Sequence, residues 1–123
     1  MALPIALQLY SVREELKEDY EGTMQKVSDM GYLGVEPAGY PGTTPEAAAK
    51  VFQRLNLQVP SVHSALPTGD NRDRVLAELE TLGCQTVVSG RGRDRFTSED
   101  LIKGVCDEFN EAAEVAAEEG LQV

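Results

Sequence analysis

Short β-branched or apolar runs recur along this chain at a nearly fixed interval, each followed by a stretch with helical periodicity. The runs begin at Ile5 (IALQLY), Leu33 (LGVEP), Val59 (VPSVH), Thr86 (TVVSG) and Leu121 (LQV), so the first three intervals are 28, 26 and 27 residues and the fourth is 35. Each interval suits one strand plus one crossover helix. A crossover of that length returns the chain parallel to itself, so the pattern βαβαβαβαβ predicts an α/β fold with a parallel sheet. Two closures satisfy it. One is (βα)4 plus the start of a fifth strand, which is half of a (βα)8 TIM barrel; the other is an open doubly wound sheet of five strands. Polar residues toward the C-terminal ends of IALQLYS and VPSVHSA favour the barrel. The glycine-rich phosphate loop of nucleotide-binding doubly wound domains is missing after the first strand, where Val12-Arg13-Glu14-Glu15 would set two acids against an anion.

Caps and faces mark the helices between these strands. Tyr20, Met24, Val27 and Met30 repeat at three to four residues ahead of Gly31, placed as a left-handed cap. Thr44-Pro45-Glu46 reads as an N-cap, a first-position proline and an acidic first turn, opening a helix with Ala48, Val51, Phe52 and Leu55 inward and Asn56 as its C-terminal cap. Val75, Leu76, Leu79 and Leu82 face inward on the third helix, which Gly83 ends. The fourth starts at Thr97-Ser98-Glu99-Asp100 and is expected to bury Leu101, Ile102, Val105, Cys106, Phe109, Ala112, Ala113 and Ala116 before Gly120. No linker or low-complexity tract divides residues 1–123, so they read as a single domain.

Composition narrows the partners. With 21 acidic against 11 basic residues the net charge is −10, which repels phosphate backbones and acidic lipid surfaces and disfavours nucleic acid. No apolar run approaches the length of a membrane span, and no cleavable leader pattern opens the chain, so a soluble cytoplasmic protein is expected. Cys84 and Cys106 form no CxxC or Cys/His cluster and are expected as two reduced, buried thiols.

In either closure functional groups collect where strands end and βα loops begin. That rule selects Gln8, Tyr10 and Arg13 after the first strand, Glu36 after the second, Ser61, His63 and Ser64 after the third, and Ser89, Arg91, Arg93 and Arg95 after the fourth. Glu36 is a strand-end carboxylate of the kind that transfers protons α to a carbonyl, although a partner such as Arg13 could simply neutralise it. His63, the only histidine, shares a strand face with Ser61 and cannot make a metal site alone. The arginines of Gly90-Arg91-Gly92-Arg93-Asp94-Arg95 could grip an anion, or pair with the acidic fourth helix.

At these residues the chain resembles the sugar phosphate isomerase/epimerase group, the xylose isomerase-like TIM barrels. The resemblance is carried by Gln8-Leu9-Tyr10-Ser11-Val12-Arg13, Gly31-Tyr32-Leu33-Gly34-Val35-Glu36, Val62-His63-Ser64 and Leu82-Gly83-Cys84, in order over essentially the whole chain. It implies a barrel that interconverts sugars or their phosphates by proton or hydride transfer between adjacent carbons, commonly with Mn or Mg. Carried over by position, Glu36 and His63 are the catalytic candidates, and Gln8, Tyr10, Arg13, Ser64 and Arg91 the substrate-binding ones. The family's metal ligands lie on strands five to eight and its members are about twice as long, whereas this chain stops as a fifth strand starts. The expectation is therefore a truncated N-terminal half that binds no metal or other cofactor itself and is inactive alone. The alternative is a noncatalytic module that self-assembles through exposed sheet edges.

Overall fold

The computed structural model describes residues 3–123. Strands β1 (Ala6–Gln8), β2 (Gly34–Glu36), β3 (Val62–His63) and β4 (Val87–Val88) alternate with helices α1 (Arg13–Glu18), α2 (Tyr20–Asp29), α3 (Pro45–Arg54), α4 (Arg72–Leu82) and α5 (Glu99–Glu118). β1 pairs with β2 and β3 with β4, both in parallel. Parallel bridges Gly34 to Gln58 and Ala38 to His63 join the two pairs, and Thr86 to Gln122 adds the fifth strand position. The spatial order is thus the chain order, 1-2-3-4-5. A doubly wound sheet reverses its order at a switch point, so the open-sheet alternative is excluded and the half-barrel stands.

Alternation along the strands separates two faces. Val35, Val62 and Val87 point to the helices and are buried, whereas Gln8, Glu36, Ser61 and His63 point the other way. One core cluster joins Val35 to Leu16, Tyr20, Met24, Ala48 and Phe52, and a second joins Val62 and Val87 to Val75, Leu79 and Cys84. The cap residues behave as their types require. Thr44 accepts from the Ala47 N–H and Ser98 from the Leu101 N–H, while Asn56 at φ 54° and Gly83 at φ 63° end α3 and α4.

Several expectations are corrected. The first strand stops at Gln8, because Leu9–Val12 winds into a 3-10 turn whose Tyr10 carbonyl accepts from the Arg13 guanidinium at 2.8 Å. The first helical segment is broken at Asp19, which leaves α1 and caps α2 by accepting from the Gly22 N–H. Met30 lies outside α2 and is 72% exposed. On α5 only Val105, Ala112 and Ala116 are buried, while Leu101, Ile102, Cys106 and Ala113 are exposed and Phe109 is half-buried. α5 is 20 residues long where α3 has 10, and it packs on the Arg93–Phe96 turn. Of the two free thiols, then, Cys84 is buried and Cys106 is not. No helix among the described residues is long and apolar enough to cross a membrane.

Candidate functional site

Register sets the site. Gln8 and Glu36 are partners across β1 and β2, so their side chains leave the sheet together at its C-terminal end. Gln8 Nε2 donates to Glu36 Oε1 at 2.6 Å, and Ser61 Oγ donates to Glu36 Oε2. The half-buried carboxylate is therefore held by two neutral donors from the flanking strands. Arg13 is not its partner. The Arg13 guanidinium stacks over the Tyr10 ring at 4.2 Å and meets Glu14 at 3.5 Å.

The cleft beside Glu36 has a volume of about 250 Å³ and is lined by Gln8, Tyr10, Ala38 and His63. The His63 N–H donates to the Pro37 carbonyl at 2.8 Å, which seats the imidazole one strand away from the carboxylate. Gln8, Tyr10, Glu36, Ser61 and His63 are thus brought together at one end of the sheet. The arrangement offers a charged acceptor, an amide, a hydroxyl and an imidazole within one shallow surface, a set able to bind and polarise hydroxyl or carbonyl groups.

Other candidates lie elsewhere. Ser64 faces the helix layer, opposite to His63, and donates its hydroxyl to Glu78 Oε2 at 2.8 Å. Arg91 donates through Nε to Glu108 Oε2 at 2.7 Å and covers the Phe109 ring at 5.5 Å. Arg95 holds the other oxygen, Glu108 Oε1, at 2.6 Å. The hydrogen bond from Arg95, then that from Arg91, keeps the Glu108 carboxyl below its ordinary range. The basic loop thus closes on α5, while Arg93 is exposed.

Glu78 and Tyr40 lie outside the strand-end positions that the sequence marks. One signal for Glu78 was available: it falls three residues after Val75 and four before Leu82, inside the apolar stripe of α4. Tyr40 carries no comparable mark.

The fold, with this polar layer at its strand ends, is a portion of a (βα)8 barrel. It is similar to a sugar phosphate isomerase/epimerase from Parabacteroides distasonis ATCC 8503, at 22% identity and a TM-score of 0.67, over 96% of this chain and 49% of that one. A family 2 AP endonuclease from Brucella melitensis aligns at 20% identity and a TM-score of 0.62, over 97% of this chain and 53% of that one. A xylose isomerase-like TIM barrel/4-hydroxyphenylpyruvate dioxygenase fusion protein aligns at 17% identity and a TM-score of 0.59, over 82% of this chain and 18% of that one. At these identities the likeness establishes the fold, and the chain spans about half the length of the first two. No protein-family model matches the sequence, and no curated protein matches it either.

Proposed function

We propose that this chain is the N-terminal half of a sugar or sugar phosphate isomerase or epimerase and forms one side of its substrate site. The observation that carries the reading is Glu36 at a strand end, its oxygens capped by Gln8 and Ser61, beside a cleft that contains His63. A carboxylate offers about four lone-pair sites, so two bound donors leave room for substrate hydroxyls. The roughly 250 Å³ cleft falls below the usual span of about 300–1,000 Å³ for ligand sites, in keeping with one wall of a larger site. Glu36 and His63 would orient and polarise adjacent hydroxyl and carbonyl groups, and Gln8 and Tyr10 would seat the sugar. Arg13 and Arg91, both engaged elsewhere, would reach substrate only after leaving Tyr10 and Glu108. Proton or hydride transfer between neighbouring sugar carbons is the reaction of the whole barrel.

A divalent metal, Mn or Mg, would polarise the carbonyl in that whole enzyme. Among the described residues no three His, Cys, Asp or Glu side chains gather as a metal centre. The ligands would come from further barrel units. The net charge of −10 speaks for a small sugar over nucleic acid, and the two unbridged cysteines suit a reducing cytoplasm.

Titration of the chain with a ketose and with its phosphate, followed through the single histidine by NMR, tests the reading. We expect saturable shifts of the His63 imidazole signals that weaken about tenfold in Glu36→Gln, the loss of a hydrogen bond to a charged group. Adding Mn or Mg should produce no turnover. Unchanged His63 signals would overturn the sugar site, and isomerisation by the chain alone would overturn the assignment of the chemistry to further units.

A second reading, a self-assembling half-barrel, is favoured by Ile5 at 64% and Leu33 at 58% exposure at the N-terminal end of the β1–β2 pair, and by Val88 at 38% on the inner face.

A further inference from the structure

Glu78 lies in the helix layer and faces away from the cleft. At 7% exposure it is the one charged residue buried among the described residues, and a buried carboxylate is costly unless hydrogen-bonded. Its two oxygens are taken by two different elements. Oε1 accepts from Tyr40 Oη at 2.6 Å and Oε2 from Ser64 Oγ at 2.8 Å, while Arg74, one turn earlier on α4, reaches Oε2 at 3.6 Å from the solvent side. Tyr40 belongs to the loop that follows Glu36, and Ser64 is the residue after His63. Burial, and then the hydrogen bond to Glu78, raises the Tyr40 phenol above its ordinary pKa, so it remains a donor at neutral pH.

We infer that Glu78 is a positioning residue for the candidate site: one carboxylate ties the segment after Glu36 and the strand end at His63 to the same point on α4. A packing role alone would be met by an apolar side chain continuous with Val75, Leu79 and Leu82. The clamp instead requires two acceptor atoms, each matched to one hydroxyl, and the structure supplies both. Its purpose rests on reading the opposite face as a sugar site, but the clamp itself is measurable without a ligand.

The test reads each substitution on the element that does not carry it. Amide hydrogen exchange and the His63 imidazole signals are measured in Tyr40→Phe, Ser64→Ala, Glu78→Gln and their pairs. Tyr40→Phe should move the His63 signals and speed exchange at the Ser64 amide, which bonds to the Val88 carbonyl. Ser64→Ala should speed exchange at the Thr43 amide, which bonds to the Tyr40 carbonyl. About tenfold is expected in each case, as for one lost hydrogen bond. With Glu78→Gln already in place, each added effect should largely vanish. Effects confined to the substituted segment, or undiminished beside Glu78→Gln, would overturn the clamp. Should Glu78→Gln fail to fold, the Tyr40→Phe/Ser64→Ala pair decides: non-additive exchange supports the clamp and additive exchange refutes it. Loss of sugar binding with the clamp intact would refute the sugar site only; a failed clamp with sugar binding intact would refute this inference only.

Discussion

Tyr20 is 8% exposed, and its hydroxyl is the one buried side-chain nitrogen or oxygen without a hydrogen-bond partner among the described residues. Burial raises its pKa, so the group stays a neutral, unpaired hydroxyl inside the first core cluster. Such a group costs about 1–3 kcal/mol, whereas phenylalanine keeps the ring. Tyr20→Phe should therefore raise stability by about 1 kcal/mol, read as a higher urea midpoint at unchanged slope, and a fall of that size would reveal a partner for the oxygen. The Glu108 clasp gives a pH signature. Because its folded pKa is depressed, its contribution is complete above the unfolded carboxyl value of about 4.3 and is lost as pH falls through the folded value. The midpoint gap between the native chain and Glu108→Gln should be steady near neutrality and shrink below that value; a gap unchanged into strong acid would contradict the pairing. Glu36 was legible in the sequence because a carboxylate inside a short strand stands out against its neighbours. Glu78 does not stand out, since Val75-Leu76-Ala77-Glu78-Leu79 also suits an exposed acid at the margin of an amphipathic helix. Arg91 showed both its readings, and only geometry reveals Glu108 between Arg91 and Arg95.

Helix ends are more legible in the sequence than helix continuity. A cap depends on one residue and its neighbours within a turn, so Thr44, Asn56, Gly83 and Ser98 carry their own signals. The break at Asp19 does not: Asp19 also suits a solvated helix position, and its choice to cap α2 follows from where Leu16 and Tyr20 are both buried. The exposure of Leu101 and Ile102 was hidden for a similar reason, since periodicity reports a face and not what lies beneath it. Strand contacts carry a sharper constraint at Gly34. A β-carbon there would sit 2.7 Å from the Gln58 carbonyl oxygen and 3.4 Å from Ala6 Cβ, with backbone on one side and β1 on the other. Gly34→Ala should push β2 from the Gln58 segment at a cost of about 1–3 kcal/mol. Amide exchange checks it: the Val35 N–H, bonded to the Gln58 carbonyl, should lose protection before the α5 amides do. Uniform loss across the chain would mean that the contact of β2 with the Gln58 segment is not a local weak point.

At the scale of the molecule, two features oppose each other. Ile5, Leu33, Leu101 and Ile102 are exposed apolar groups that favour association, while a net charge of −10 makes two copies repel. The outer edge of β4 is already occupied, because the Val87 N–H donates to the Gln122 carbonyl and the Gln122 N–H to Gln85. A second copy could not close an eight-stranded barrel through β4 without displacing that segment, so association is expected through the exposed apolar groups and the outer β1 edge, which is unpaired among the described residues. Screening decides the balance, since the Debye length falls from about 30 Å at about 0.01 M salt to about 3 Å at about 1 M. Sedimentation equilibrium should find a monomer at the low salt and a rising mass at the high salt. Ile5→Ser combined with Leu101→Ser should restore the monomer at high salt without changing the charge. A monomer at every salt concentration would exclude self-assembly as a role for this chain, and a dimer already present at low salt would mean that paired strand edges outweigh the repulsion of the two acidic surfaces.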